Sequence, residues 1–166
     1  TAMETAASPQ TNALRVAILA ADSGKPVPNV RISYHTWTAT RYTHQNQMLT
    51  ARRDGICDVP LPPSDTTWIT LTTSIDDFAS ARLEWHPSRG EVIPTSYTLR
   101  LQRPVVIGGR VFARDGQPVA NAEVLFGHRE DPSAKKHPES HEFGTIKVAS
   151  GSDGRWEIRR IAPQMI

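Results

Sequence analysis

Apolar and polar residues alternate along much of the chain, and this period of two is typical of β-strands. Residues 14–20 place alternate apolar side chains on one face of a strand, and residues 30–37 alternate in the same way. The pattern predicts further strands at residues 56–61, 68–72, 79–85, 96–101, 105–113, 122–127, 145–149 and 155–160. Turn sequences rich in Gly, Pro and Asp separate these strands at intervals of about 8–12 residues, which is typical of a β-sandwich.

Two turn sequences recur in the second half of the chain. The string GKPVPNV at residues 24–30 matches GQPVANA at residues 116–122. Later in each half, DGICDVPL at residues 54–61 matches DGRWEIRR at residues 153–160. Because the two matched segments occur in the same order, they indicate a duplicated β-domain.

Two tandem β-sandwich domains are therefore predicted, at residues 13–103 and 104–166, after a flexible leader at residues 1–12. After its matched hairpin, the first domain continues into further predicted strands, whereas the second has no residues that match them. The second sandwich is thus predicted to be incomplete. We expect residues beyond 166 to supply the missing strands, because an unfinished sandwich exposes strand edges and core side chains.

Composition supports an all-β fold and narrows the functional classes. The 10 Gly and 13 Pro are spread along the chain, which suits strands and turns better than helices. The 19 Lys and Arg and the 17 Asp and Glu are interspersed, so nucleic-acid binding is not favoured. Cys57 is the single cysteine, which excludes an intrachain disulfide, and no apolar run is long enough to span a membrane. The chain begins at Thr1 without a signal peptide, so we expect a processed piece of a longer protein.

The repeated motifs carry a family resemblance. The strings DGQPVANAEV and DGRWEIRRIAP in the second half resemble the carboxypeptidase regulatory-like domain, a transthyretin-like (prealbumin-like), Ig-like β-sandwich. The first half, with DSGKPVPNVRI and DGICDVPLP, is similar but more diverged. The resemblance implies a non-enzymatic accessory or binding module of a large exported bacterial protein that is secreted, periplasmic or at the cell surface. Its implied partners are neighbouring domains of the same parent chain, with another protein or a polysaccharide as alternatives, and it implies no cofactor.

Aromatic residues offer one candidate binding site. Trp37 and Tyr42 lie at or beside a polar, Thr-rich segment, residues 38–47, that is predicted to be a long hairpin tip. Because contiguous exposed aromatic rings mark binding surfaces, these two residues are candidates for a carbohydrate-binding module. Tyr34 and Trp68 lie on strand faces and are predicted to belong to the core.

The loop at residues 128–142 offers a second candidate, a metal site. It concentrates histidines and carboxylates, and His137 and His141 are its candidate zinc or nickel ligands. The alternative is a solvated polar loop, because metal ligands must be held in place by surrounding contacts.

The chain shows no convincing catalytic constellation, and we predict that it is not an enzyme. Asp54 and Asp153 each precede a Gly and are interpreted as turn formers. Intradiol ring-cleaving dioxygenases share the sandwich and part of the motif, but the two Tyr and two His that hold their iron have no counterparts here. Cys57 follows an apolar residue in a strand and has no neighbouring His that would stabilise a thiolate.

Overall fold

The structure, a computed structural model, describes residues 13–39, 44–127, 139–140 and 146–163, and these are mostly β-strand and turn. The strands are β1 (Ala13–Ala20), β2 (Arg31–Thr38), β3 (His44–Thr50), β4 (Ile56–Pro60), β5 (Thr66–Ser74), β6 (Arg82–Trp85), β7 (Ser96–Leu101), β8 (Val105–Arg110), β9 (Glu123–Phe126), β10 (Glu139–Ser140), β11 (Ile146–Ala149) and β12 (Arg155–Ile161). A turn of 3₁₀ helix spans Pro87–Arg89, and the described residues contain no helix with the length and apolar character that a membrane span requires. The predicted all-β class is confirmed.

Strands β1–β7 form a two-layered sandwich. One sheet has the order β4-β1-β7, in which β1 is antiparallel to β4 and parallel to β7. The other sheet has the order β10-β6-β5-β2-β3, and its neighbours are antiparallel. Alternate apolar side chains of both sheets meet between the layers, because successive residues of a strand point to opposite faces. Those buried most deeply include Leu14, Val16, Ile18, Val30, Ile32, Leu71, Leu83, Leu99 and Leu101. The predicted β-sandwich is therefore confirmed.

Four further strands form two shorter antiparallel ladders, β8 with β12 and β9 with β11. Their apolar side chains pack around a small core of Ile158, Ile161 and Ala162, which also contacts Ala79 from the loop before β6. We call strands β1–β7 the first copy, and strands β8, β9, β11 and β12 the second copy. The short strand β10 lies between β9 and β11 in the chain, but it pairs with β6 of the first copy.

The two copies close their turns with matching backbone hydrogen bonds. In the first copy, the N–H of Ile18 donates to the carbonyl oxygen of Gly55 at 2.8 Å. In the second copy, the N–H of Val111 donates to the carbonyl oxygen of Gly154 at 2.9 Å. Other matching donors are Ala20 and Ala113, Val27 and Val119, Asn29 and Asn121, and Ala51 and Ser150. The repeat in the sequence is therefore a repeat of backbone geometry.

The repeated Asp residues form the same turn in both copies. Oδ1 of Asp54 accepts a hydrogen bond from the N–H of Ile56 at 3.0 Å. Oδ1 of Asp153 accepts one from the N–H of Arg155, also at 3.0 Å. A side chain that accepts from the backbone two residues further on forms an Asx turn, so both aspartates act as turn formers, as predicted.

The segment predicted to be a long hairpin tip, residues 38–47, is partly strand. β3 begins at His44 and pairs with β2 in continuous register, from His44 opposite Trp37 to Thr50 opposite Arg31. β3 lies at the edge of its sheet, and most of its described side chains are exposed. Its sequence HQNQMLT therefore lacks the apolar alternation by which strands are recognised.

The paired glycines of β8 lie in a regular part of their ladder. Gly109 is opposite Trp156, and a Cβ atom at Gly109 would lie 3.1 Å from the indole ring. A Cβ atom at Gly108 would lie 2.7 Å from the carbonyl oxygen of Trp156. The glycines thus permit a close approach of the strands, and the register shift of this ladder lies between Ile158 and Ile161.

Candidate functional site

The outer face of the five-stranded sheet carries a cluster of aromatic and charged side chains. β2 directs Tyr34 into the core and therefore turns His35 and Trp37 to the opposite face. β5 places Trp68 beside them, and His86, which directly follows β6, lies next to Trp68. We call His35, Trp37, Trp68 and His86 the aromatic row.

Ring stacking holds the aromatic row together. Trp37 and Trp68 are register partners, their ring centroids are 4.2 Å apart, and their planes differ by 17°. His86 lies 5.6 Å from Trp68 and His35 lies 6.0 Å from Trp37, again with nearly parallel rings. Since 4.2 Å is close to the spacing between neighbouring strands, the two indole rings stand on the sheet face to face. Each indole therefore covers one face of the other.

Charged groups surround the His86 end of the row. Nε2 of His86 lies 2.6 Å from Oε1 of Glu84, and Oε2 of Glu84 lies 2.8 Å from Nη2 of Arg82. The guanidinium of Arg82 also lies 5.7 Å from the centroid of the Trp68 ring, which is a cation–π distance. The backbone N–H of His86 donates to Oε2 of Glu91 at 2.7 Å. This end of the row is thus polar, and its side chains are held by several contacts each.

Three polar atoms buried beside the row have no hydrogen-bond partner within the described structure. They are Nε1 of Trp68, Oγ1 of Thr70 and Nε of Arg82. A buried polar atom without a partner costs about 1–3 kcal/mol, so each such atom in a folded protein needs an explanation.

The structure places the predicted aromatic residues as follows. Trp37 is half-buried within the row, and Tyr42 lies outside the described residues. Tyr34 belongs to the core, as predicted, and burial raises the pKa of its hydroxyl to about 12. Trp68, predicted to be core, is instead half-buried on the outer face. The signal was present in the string WITLT, because Trp68 alternates with Thr70 on one face of the strand while Ile69 and Leu71 face the core on the other.

The candidate metal ligands His137 and His141 lie outside the described residues, as does most of the loop at residues 128–142. The part of this loop that is described, β10, pairs with β6 opposite Leu83 and Arg82. Among the residues that the structure describes, no group of three His, Cys, Asp or Glu side chains is placed to hold a metal ion. The metal site at this loop stays a prediction.

Cys57 and Asp58 point to opposite faces of β4. Cys57 lies in the core, where burial and then the nearby Asp58 carboxylate raise the pKa of its thiol, partly offset by Arg52. A raised pKa keeps the thiol protonated and unreactive. Asp58 accepts hydrogen bonds from Arg52 at 2.6 Å and from Arg15 at 2.9 Å, and these bonds lower the pKa of its carboxyl. Cys57 therefore belongs to the core, and Asp58 belongs to an ion-pair network with Arg15 and Arg52.

Comparison with known proteins leaves the family of the chain open. No protein-family model and no curated protein matches it. Among solved structures, the chain is similar to a streptococcal ancillary pilin, with 11% sequence identity and a TM-score of 0.37. The match covers 93% of this chain and 51% of the pilin chain, so the chain spans about half the length of that structure. A likeness with this TM-score supports no conclusion about function.

Proposed function

We propose that the chain is a non-enzymatic accessory module of an exported bacterial protein. Its two copies are the tandem domains predicted at residues 13–103 and 104–166, of the carboxypeptidase regulatory-like type. The module spaces or supports a neighbouring domain of the same parent chain, in a secreted, periplasmic or cell-surface protein.

The shared turn framework is the observation that carries this proposal. The repeated polar residues, Asp54 and Asp153, each bond to the backbone of their own hairpin. The repeated glycines, Gly55 and Gly154, accept the matching ladder bonds. A repeated catalytic motif would instead bring its polar side chains together around a common cleft. Because the repeated residues form turns, their repetition supports a structural role in the parent protein.

An exchange experiment in the parent protein tests the accessory role. Deletion of residues 13–163 should impair the activity or the surface display of the neighbouring domain. Replacement of the same residues by an unrelated β-sandwich of similar length should restore it, because a spacer acts through its length and stiffness. If the replacement fails while the native module succeeds, the surface of this module is required and the spacer role is contradicted.

Carbohydrate binding is the second candidate, and the aromatic row favours it. The indole rings of Trp37 and Trp68 lie beside the charged groups of Glu84 and Arg82, which border the row. Aromatic surface next to a few polar groups is the usual composition of a small-ligand site.

A glycan array tests the second candidate. Binding by the native chain should be lost in Trp37→Ala, which removes half of the stacked indole pair. It should be retained in Met48→Ala, because Met48 is 60% exposed and lies two strand positions away from the row. If the native chain binds no glycan on the array, this candidate fails and the accessory role remains.

Metal binding at residues 128–142 is tested separately. If His137 and His141 are ligands, elemental analysis of the purified chain should find zinc or nickel in stoichiometric amount. The metal should be lost in the double variant His137→Ala/His141→Ala. Equal metal content in the native chain and the double variant would exclude these two residues as ligands.

A further inference from the structure

The second copy has an open strand edge at the position where the first copy has a strand. In the first copy, β1 lies between β4 and β7. In the second copy, β8 pairs with β12, and no strand among the described residues lies on the other side of β8. We propose that this edge of β8 is a docking site for an extended polypeptide segment with the alternating chemistry of β7, which would pair with β8 in parallel.

The registers of the two ladders show which residues correspond. In the first copy, Val16 is opposite Cys57. In the second copy, Gly109 is opposite Trp156. These positions match because the turn bonds that follow them are the same, and so β8 corresponds to β1 and β12 to β4. The first copy has Val16 and Cys57 at this level of the ladder, and the second copy has Gly109 and Trp156. In the second copy the large side chain is therefore on β12, the strand away from the open edge.

Burial differs between corresponding positions of the two copies. Leu14 and Ile18 of β1 are 2% and 0% exposed. Their counterparts Ile107 and Val111 are only half-buried, and so is Trp156. The first copy covers these positions with its complete sandwich, to which β7 contributes, whereas the second copy leaves them partly in water. A strand added beside β8 would remove this apolar surface from water, which favours docking.

Within the described part of the chain, this edge of β8 also presents backbone groups without a partner strand. The N–H of Val111 donates to Gly154 on the β12 side, so strand alternation directs the N–H of Gly108 to the open side. The counterpart of Gly108 in the first copy is Arg15, whose N–H donates to the carbonyl oxygen of Thr95 at 3.0 Å, directly before β7. A docked strand would give Gly108 the same kind of partner.

β8 itself lacks two of the usual protections of a free strand edge. Proteins usually protect free strand edges with proline, inward-pointing charges or a covering segment. The sequence VVIGGR of β8 contains no proline, and Arg110 is exposed on the outer face. The edge is therefore suited to pairing.

β7 shows the chemistry of the segment that fits. Leu99 and Leu101 of β7 are each 1% exposed, and Tyr97 packs against the core two residues earlier. By the register of β1 with β7, the residue that corresponds to Tyr97 would lie opposite Gly109, and the one that corresponds to Leu99 opposite Val111. The docking segment is thus a short strand with apolar residues at alternate positions.

A synthetic peptide of residues 95–102, TSYTLRLQ, is the probe for this site. Titrated into the isotope-labelled chain 1–166, it should shift the amide NMR signals of Gly108 and Arg110 saturably and slow their hydrogen exchange. The control peptide TSSTSRSQ, in which Ser replaces the three apolar residues, should cause neither effect. Equal binding of the two peptides, no binding of the first, or perturbation of β1 in place of β8 would overturn the proposal.

Two substitutions of Arg110 separate backbone pairing from side-chain contact. Arg110→Pro removes an N–H from the open edge and should weaken binding of the first peptide by about tenfold. Arg110→Ala keeps the N–H and should bind as the native chain does, so equal affinities of the two variants would contradict the proposal. If the Arg110→Pro variant does not fold, the test is the comparison of the two peptides binding to the native chain. A native chain that is already dimeric, with Gly108 protected before peptide is added, would show that a second copy occupies the edge and would also overturn it.

Discussion

Alanine substitutions at four glycines would test whether the two copies share one architecture. Gly55 and Gly154 follow the aspartates of the matching hairpins and have φ angles of 75° and 74°. Gly24 and Gly116 lie in the earlier matching turns, with φ angles of 66° and 83°. All four adopt the left-handed conformation, which costs a residue with a Cβ atom about 1–2 kcal/mol. This strain is therefore common to the four variants.

The space for the added methyl group differs between the two kinds of turn. A Cβ atom at Gly154 would lie 2.5 Å from the carbonyl oxygen of Val111, and one at Gly55 would lie 2.7 Å from that of Ile18. At the other two glycines, nothing lies within 4 Å. The oxygen that clashes belongs to the residue whose N–H bonds to the glycine, so relieving the clash strains that bond. Overpacking of about 1–3 kcal/mol adds to the backbone strain, and the expected total is about 2–5 kcal/mol.

Urea denaturation followed by circular dichroism would measure the free energy of unfolding of the four variants. Gly24→Ala and Gly116→Ala should each lose about 1–2 kcal/mol, whereas Gly55→Ala and Gly154→Ala should each lose about 2–5 kcal/mol. Equal losses for Gly116→Ala and Gly154→Ala would refute the reasoning, because the close approach would then cost nothing. A severe loss at Gly55 but not at Gly154 would show that the second hairpin is not held as the first is.

Two further contacts and one buried thiol give measurable outcomes. A double-mutant cycle of Trp37→Ala and Trp68→Ala should show coupling of about 0.5–1.5 kcal/mol, since the rings stack at 4.2 Å; strictly additive losses would mean that the stack is absent in solution. Asp58→Asn should cost less than about 1 kcal/mol at neutral pH, because the ion pair with Arg52 is partly exposed. Because folding lowers the pKa of Asp58, the ion pair stabilises the protein above the pKa that Asp58 has in the unfolded chain, and this stabilisation is lost as the pH falls through its pKa in the folded chain. If Asp58→Asn remained less stable than the native chain in strong acid, the argument would be contradicted. Cys57 should react with a thiol reagent at neutral pH only after unfolding, because it is buried and its pKa is raised; rapid labelling of the folded chain would disprove this.

Periodicity predicted the strands that have one buried face. β7 was predicted at residues 96–101, and the structure places it at Ser96–Leu101. β3 was missed, because an edge strand with exposed side chains has no apolar face to reveal it. β6 was predicted to begin at residue 79 but begins at Arg82, since Ala79 and Ala81 are buried in the loop before it. A strand can therefore be predicted from apolar alternation only where one of its faces is buried.

The aromatic row was only half predictable. The position of Trp37 on an outward strand face follows from its alternation with Tyr34 and Thr36 on β2. Its stacking on Trp68 depends on the register of β2 with β5, two strands that are separated by β3 and β4 in the chain. One residue of slip would turn every side chain of β5 to the other face. Local alternation does not specify that register, so the pair emerges only in the folded sheet.

The sequence by itself determined the repeated turns. Asp54 and Asp153 bond to backbone two residues away, and the glycines beside them adopt a left-handed conformation that other residues disfavour. These are interactions within a few residues, so the local sequence specifies them. The tertiary structure alone decided that β7 lies parallel to β1 and that no strand of the described residues lies beside β8 at the corresponding place. Strand order depends on contacts between distant segments, whose free energy comes from burial across the whole sandwich and cannot be assigned to any single stretch of the chain.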